Sequence, residues 1–463
     1  MGPQHKLPKI LWFACAVAAL GGFLFGFDMA VVSGILPLVT VQFSLSALHQ
    51  GWFVSSALVG CILGVAMSGE IGDRYGRRPA LMLAAVLFLV SALGCGLMPT
   101  FQSIVMARIL GGVGVGIASS MVPLYISEIA PSRIRGRLVT YYQLAVTVGI
   151  LVAYLSNAYL AQAAVGAAER LSGWLGVLFG EEVWRGMFIM GALPALVFLL
   201  GLLVIPESPR WLLQKGNKAA GMALLSRFVG EAEAQADAQR GHRHSGQRQA
   251  PYRDLFSPKL RKALLLGLLL PFFSQFCGIN AIIYYGPSIL NSTGVSLTNS
   301  LQSQIIFGAA NLLFTLIAVW KVDKVGRRPL YLVGTLVATL SLISVGVCLY
   351  VNTQGPLLLA SVILFLASFA FSIGPLKFVV AAEIFPSHIR GRAVALSIMV
   401  MWIADTIIGQ LTPLMLEGMG AAFTFWIFSL FCALAFVTVY RLLPETKGRS
   451  LEDIESEWLE DGK

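Results

Sequence analysis

Charge is scarce in this chain. Only 12% of its 463 residues are Asp, Glu, Lys or Arg, against roughly 25% in an ordinary soluble domain. Hydrophobic residues make up 57%, more than one soluble core of this length can hide, so a water-soluble enzyme or binding module is excluded. Paired cysteine motifs are absent as well. Cys15, Cys61, Cys95, Cys277, Cys348 and Cys432 stand singly inside apolar stretches. They read as reduced, buried small hydrophobes, and neither a disulfide framework nor a metal site is expected. No nucleophile–base pair and no phosphate loop emerges, so the expectation is a non-enzyme without cofactor. Lys and Arg are missing from 38–49, 291–301, 352–356 and 417–420, and that gap sets the orientation below.

What is abundant is long apolar sequence. Runs able to cross roughly 30 Å of hydrocarbon lie at 10–37, 50–70, 80–98, 102–126, 138–160, 185–205, 262–290, 302–320, 329–351, 357–384, 393–416 and 421–443. The expected fold class is therefore an all-α integral membrane protein with twelve transmembrane helices in two six-helix halves. The expected domains are 1–205, a polar stretch at 206–261 forming small cytoplasmic linker helices, 262–443, and a cytoplasmic tail at 444–463. Basic residues gather at the even-numbered junctions: Arg74, Arg77 and Arg78, then Arg133, Arg135 and Arg137, then Arg210 and Lys215, with Lys324, Arg327, Arg328, Arg390 and Arg392 in the second half. Cytoplasmic loops retain such residues, which places these junctions and both termini in the cytoplasm. The net charge of +10 is thus spread over short loops and does not form a nucleic-acid-binding face. The run 240–248, with His242 and His244 among Gly, Ser and Arg, reads as a solvated loop and not as a metal tract.

The chain also repeats itself. Gly-Asp-Arg-Tyr-Gly-Arg-Arg-Pro at 72–79 returns as Val-Asp-Lys-Val-Gly-Arg-Arg-Pro at 322–329, and Ser-Glu-Ile-Ala-Pro-Ser-Arg-Ile-Arg-Gly-Arg at 127–137 returns as Ala-Glu-Ile-Phe-Pro-Ser-His-Ile-Arg-Gly-Arg at 382–392. A parallel repeat in a hydrophobic chain means two similar halves with one cavity between them. Simple positive-inside anchoring explains the arginines but not the accompanying acids. Asp73 with Arg77 and Glu128, and Asp323 with Arg327 and Glu383, are expected to form ion pairs that bridge helices in one state and break in another. Arg137, Glu207, Arg210 and Arg392 complete this candidate gating set.

Two motifs inside the spans need weighing. Gly111-Gly112-Val113-Gly114-Val115-Gly116 resembles a phosphate loop, but it lies in a span, where Gly112 and Gly116 have the spacing of close helix packing. Asp28 interrupts an apolar run, and a charge there is costly and functional by default. Counting 1.5 Å per residue puts Asp28 roughly 13 Å and Arg108 roughly 10 Å from the outer surface. The two are expected to meet as a proton-coupling pair, with a static ion pair as the alternative.

Together, Phe25-Gly26-Phe27-Asp28, the two Gly-Arg-Arg motifs, Pro206-Glu-Ser-Pro-Arg-Trp211, Gln275-Phe-Cys-Gly-Ile-Asn280 with Tyr284-Tyr285, Gly374-Pro375 and Pro444-Glu-Thr-Lys-Gly448 resemble the signatures of the sugar porters of the major facilitator superfamily. The match spans essentially the whole chain. The resemblance implies the major facilitator fold and transport of a monosaccharide or related polyol. Because proton-coupled members carry an acid at Asp28 and an Arg at Arg108, it also favours proton symport over passive facilitation. It implies a sugar site at Phe25, Gln143, Gln275, Asn280, Tyr285, Asn311, Gly374, Phe378 and Trp402, where amides meet hydroxyls and aromatic faces meet the pyranose. The expected partners are the sugar, the proton and the lipid bilayer, with no nucleic acid. A monomer in the plasma membrane follows, and the compact loops suit a bacterial inner membrane. A sugar sensor on the same fold would be expected to need a long signalling tail.

The departures from the family pattern matter as much. The paired glutamines of the seventh span are here Ser274-Gln275, and the tryptophan after Gly-Pro in the tenth is Phe378. Met401 replaces a residue that is often polar. Lys377 and Asp405 are charged where the family is usually neutral. They are either a buried salt bridge between neighbouring spans or a charged element of the substrate site.

Overall fold

The computed structural model describes residues 8–131, 134–165, 173–231, 234–235, 252–292, 294–353, 355–385 and 389–445. The side chains of Asp323 and Phe378, the run 240–248 and the tail beyond 445 lie outside the described set. Among the described residues every regular element is helical. The first half of the chain carries α1 (Lys9–Phe43), α2 (Ala47–Tyr75), α3 (Arg77–Leu97), α4 (Phe101–Ile129), α5 (Arg135–Ala164) and α6 (Val183–Val204), followed by the short α7 (Pro209–Gln214) and α8 (Lys218–Val229). The second half carries α9 (Arg261–Phe276), α10 (Ile279–Ser292), α11 (Leu297–Val325), α12 (Arg327–Tyr350), α13 (Pro356–Ser368), α14 (Gly374–Ile384) and α15 (Arg390–Leu442).

Local chemistry sets these boundaries. α4 opens on a capping box, in which Thr100 Oγ1 accepts from the Ser103 N–H and Ser103 Oγ accepts from the Thr100 N–H, both at 3.3 Å. Ser296 caps α11 by accepting from the Asn299 N–H at 3.3 Å. α1 runs on to Phe43, past the expected end at Pro37. Proline removes one hydrogen bond there, but Ile35, Leu36 and Val39 are fully buried, and that packing carries the helix through.

Among the described residues, eleven helical stretches are long and apolar enough to cross a membrane. The last of them is two, because Gly420 takes φ 82° and ψ 165° within α15, which brings the spans to the expected number. The seventh span is also broken. α9 ends at Phe276, Gly278 takes φ +83°, and α10 restarts at Ile279. The tenth contains a wide turn at Phe369–Ile373 before Gly374-Pro375 restarts the helix.

By its contacts the chain forms two compact units. One is Met1–Val31 with Val59–Gln247, and the other is Val32–Leu58 with Arg248–Lys463. In the first, glycines bring helices into backbone contact. A Cβ on Gly64 of α2 would lie 3.0 Å from the Gly116 Cα of α4, and one on Gly60 would lie 3.0 Å from the Gly112 Cα. The packing role expected of Gly112 and Gly116 therefore holds, and α2 supplies the matching pair. α1 and α5 meet in the same way, since a Cβ on Gly26 would lie 2.8 Å from the Val146 carbonyl carbon.

In the second unit, α9 and α12 pack most extensively on α15. Residues 32–58 belong with it because α2 approaches α15 closely. Ser55 Oγ donates to Gln410 Oε1 at 2.8 Å, and Gln410 Nε2 donates to the Leu48 carbonyl at 3.1 Å.

Candidate functional site

At the junction of α2 and α3, Gly76 takes φ +111°, a conformation that costs an L residue strain. The turn aims the first N–H groups of α3 at Glu207. Its carboxylate accepts from Arg77 N at 3.0 Å, Arg78 N at 3.1 Å and Ser208 N at 2.7 Å. Burial pushes the Glu207 carboxyl above the ordinary carboxylate range, against the pull of these N–H groups and of Arg77. The Arg77 guanidinium turns inward. Its Nε and Nη2 hold both oxygens of Glu128 at 3.0 Å, and its Nη1 donates to the Gly72 carbonyl at 2.7 Å and to Asp73 at 3.0 Å. Arg77 and Glu128 are only 4% and 6% exposed, so their pairing is a buried, bidentate one. Asp73 is largely exposed and adds little.

The second unit repeats the arrangement. Gly326 takes φ +105°. Arg327 pairs with Glu383 at 3.2 Å, and the N–H groups of Arg327 and Arg328 donate to Glu445 at 3.0 and 3.2 Å. Sequence reasoning missed Glu445 as a functional residue. The signal was present, since Pro444-Glu445 follows the last span as Pro206-Glu207 follows the sixth. Of the other expected gating residues, Arg137 is exposed, Arg210 lies on α7, and Arg392 lies in the first turn of α15.

Asp28 and Arg108 come together inside the first unit. Asp28 lines an apolar cavity with Leu24, Phe27, Phe88 and Phe188. Arg108 is 3% exposed, and its Cζ lies 5.9 Å from the centre of that same Phe188 ring. One turn along α4, a Cβ on Gly111 would stand 4.0 Å from Asp28 Oδ1 and would collide with Ser91. The glycine thus makes room for Ser91, and the Asp28 carboxylate lies within van der Waals reach of α4 at this position.

The remaining candidates divide between the units. Phe25 is half-buried on α1 and Gln143 exposed on α5, on the helices that Gly26 draws together. In the second unit, a hydrogen-bonded chain links four helices. Lys377 Nζ on α14 donates to Ser274 Oγ at 3.1 Å, and Gln275 Nε2 donates to the same oxygen at 3.3 Å. Asn280 Nδ2, beyond the helix break, donates to Gln275 Oε1 at 2.8 Å and to Asp405 Oδ1 of α15 at 2.7 Å. Tyr284 OH donates to Asp405 Oδ2 at 3.2 Å. Lys377 and Asp405 are thus joined through Ser274, Gln275 and Asn280, two of which were expected to hold a sugar.

Tyr285 turns instead to the α15 backbone, its hydroxyl donating to the Gly409 carbonyl. Trp402 is buried on α15, Asn311 is half-buried on α11, and Gly374 opens α14. Sequence reasoning passed over Ser274 and Tyr284 as site residues. Tyr284 follows Asn280 by one helical turn, which was the available signal.

Twelve apolar spans, a duplicated Gly-Arg-Arg junction and a carboxylate beside a buried arginine in the first span define a membrane transporter of the major facilitator fold. The family model described as sugar (and other) transporter matches residues 14–458. The chain is 39% identical to an arabinose-proton symporter of Bacillus subtilis, over 98% of this chain and 96% of that protein. It is 36% identical to the D-xylose-proton symporter of Escherichia coli, over 96% and 94%. The inward open structure of the E. coli xylose transporter XylE superposes with a TM-score of 0.83 at 34% identity, covering 97% of this chain and all of that one. The chain belongs to the sugar transporter family.

Proposed function

We propose that the protein is a proton-coupled symporter of a monosaccharide or related polyol, working by alternating access as a monomer in the plasma membrane. In this reading its termini and Gly-Arg-Arg junctions are cytoplasmic, and residues 1–205 and 262–443 act as the two moving halves. The observation that carries the coupling is the Asp28 carboxylate lining a cavity whose Phe188 wall is shared with buried Arg108. In this reading the displacement of Arg108 from Asp28 is the step that lets the carboxylate take a proton. The relatives named arabinose-proton and D-xylose-proton symporters support the same coupling. Gln275 and Asn280 supply the amides that meet sugar hydroxyls. The ion pairs of Arg77 with Glu128 and of Arg327 with Glu383 latch the cytoplasmic side and open with each cycle.

The test is uptake of L-arabinose and D-xylose into proteoliposomes under an imposed pH gradient. Wild-type protein accumulates sugar with proton entry, whereas Asp28→Asn loses accumulation and retains exchange between pre-loaded compartments. Accumulation that survived the Asp28→Asn change would overturn the coupling role. Wild-type uptake that equilibrates without proton movement would identify a passive facilitator.

A further inference from the structure

The chain from Lys377 to Tyr284 has a fixed polarity. Asn280 spends amide hydrogens on Gln275 Oε1 and Asp405 Oδ1. Both Asp405 oxygens accept, one from Asn280 and one from Tyr284. A carboxylate in that role cannot donate, so it requires the NH₂ end of Asn280 to face it. At the other end, Ser274 Oγ accepts from Lys377 and from Gln275 and gives its own proton to the Pro271 carbonyl at 2.7 Å. Ser274 therefore has nothing left for a ligand. Asn280 is half-buried while Lys377, Asp405, Ser274 and Gln275 are all buried, which leaves Asn280 as the exposed member of the amide pair.

We propose that Asp405 is a positioning residue for substrate selectivity: by accepting from Asn280 Nδ2 it turns Asn280 Oδ1 outward, so that the sugar meets an acceptor there and must present a hydroxyl that donates. Lys377 serves the same end by donating to Ser274 Oγ beside Gln275 Nε2, which fills both acceptor positions of that hydroxyl and holds Gln275 in register. The two charges that depart from the family pattern thus act on the substrate through an amide and do not touch it. This inference rests on the reading that Asn280 meets the sugar.

Fluorine distinguishes the two polarities, because a C–F group can accept weakly but cannot donate. The experiment measures binding of D-xylose, L-arabinose and D-glucose to the purified full chain. Each sugar is compared with its monodeoxy and monofluoro analogues, position by position. In the wild type, one hydroxyl position is expected at which fluoro and deoxy analogues lose affinity equally, by about five- to tenfold. In Asp405→Asn, Asn280 is released to rotate, and the fluoro analogue gains on the deoxy analogue at that position by about two- to threefold.

A purely packing role for Asp405 would weaken all analogues alike and leave the ratio unchanged, which would overturn the proposal. So would wild-type protein that binds the fluoro analogue as well as the parent sugar at every position, a result that needs no variant to fold. Failure of all three parent sugars to bind the wild type is a different outcome: it removes the sugar-transport reading itself and this inference with it.

Discussion

Glu207 offers the sharpest measurement of what holds each unit's third span in place. Changing it to Ala removes the acceptor for the N–H groups of Arg77, Arg78 and Ser208. The first two are orphan donors at the start of α3, half-buried against the junction. At about 1 kcal/mol for each unsatisfied donor, the loss is about 2–3 kcal/mol. Gln at this position keeps a carbonyl oxygen where Glu207 Oε1 accepts all three bonds, and it sheds the burial penalty on the charge. Glu207→Gln is therefore expected within about 1 kcal/mol of wild type.

The pH dependence has a definite sign. The native Glu207 pKa is raised by burial, so native protein keeps a proton that the unfolded chain has already lost. The stability tied to that proton is complete below the ordinary carboxylate pKa and fades as pH rises through the native one. Equilibrium unfolding in mixed micelles, followed by far-UV circular dichroism across the acid range, reads both effects. The Gln variant should lose this pH slope while keeping most of the stability. If Gln proved as damaging as Ala, the charge and not the hydrogen-bond geometry would be the stabilising element, and the reasoning would fail.

Two further outcomes follow from the same geometry. Arg77→Lys keeps the charge but gives up the two-point hold on Glu128 and the bond to the Gly72 carbonyl. A loss of about 1–3 kcal/mol in the same unfolding assay is expected, together with slower sugar uptake in proteoliposomes. Gly278→Ala places a Cβ 2.7 Å from the Phe428 Cγ at a backbone φ of +83°. The backbone strain alone is about 1–2 kcal/mol, so the melting temperature of the purified protein should fall. Sugar binding should weaken with it, because α10 carries Asn280.

Much of this molecule was legible from residue spacing, and the exceptions share a cause. Apolar run length and the repeated Gly-Arg-Arg junctions report on the twelve spans, because hydrocarbon thickness and backbone satisfaction leave helices few alternatives. Counting depth along two spans was enough to bring Asp28 and Arg108 together. The break at Gly278 was not legible, because composition does not reveal the sign of φ, and 262–290 reads as one continuous run. Nor was the partner of Asp405. A direct salt bridge to Lys377 is what two opposite charges on neighbouring spans suggest. Asn280, 125 residues away in sequence, takes up the carboxylate because the helix break lifts it beyond the end of α9. Glu445 escaped notice for a plainer reason: the backbone N–H groups it receives carry no side-chain signature, which leaves the echo of Pro206-Glu207 in Pro444-Glu445 as its one signal.

The caps at Glu207 and Glu445 also order events in time. Each ties the start of its unit's third span to a residue that leaves the ribosome only after the sixth. α3 is complete once Leu97 has been made, yet its first turn stays open until Glu207 follows. In the second half the wait runs from Tyr350 to Glu445, after the last span. Each half is therefore sealed by a residue that follows its own sixth span. A chain stopped between its sixth span and that glutamate would hold every helix of the half and still lack the bond that fastens the third one down.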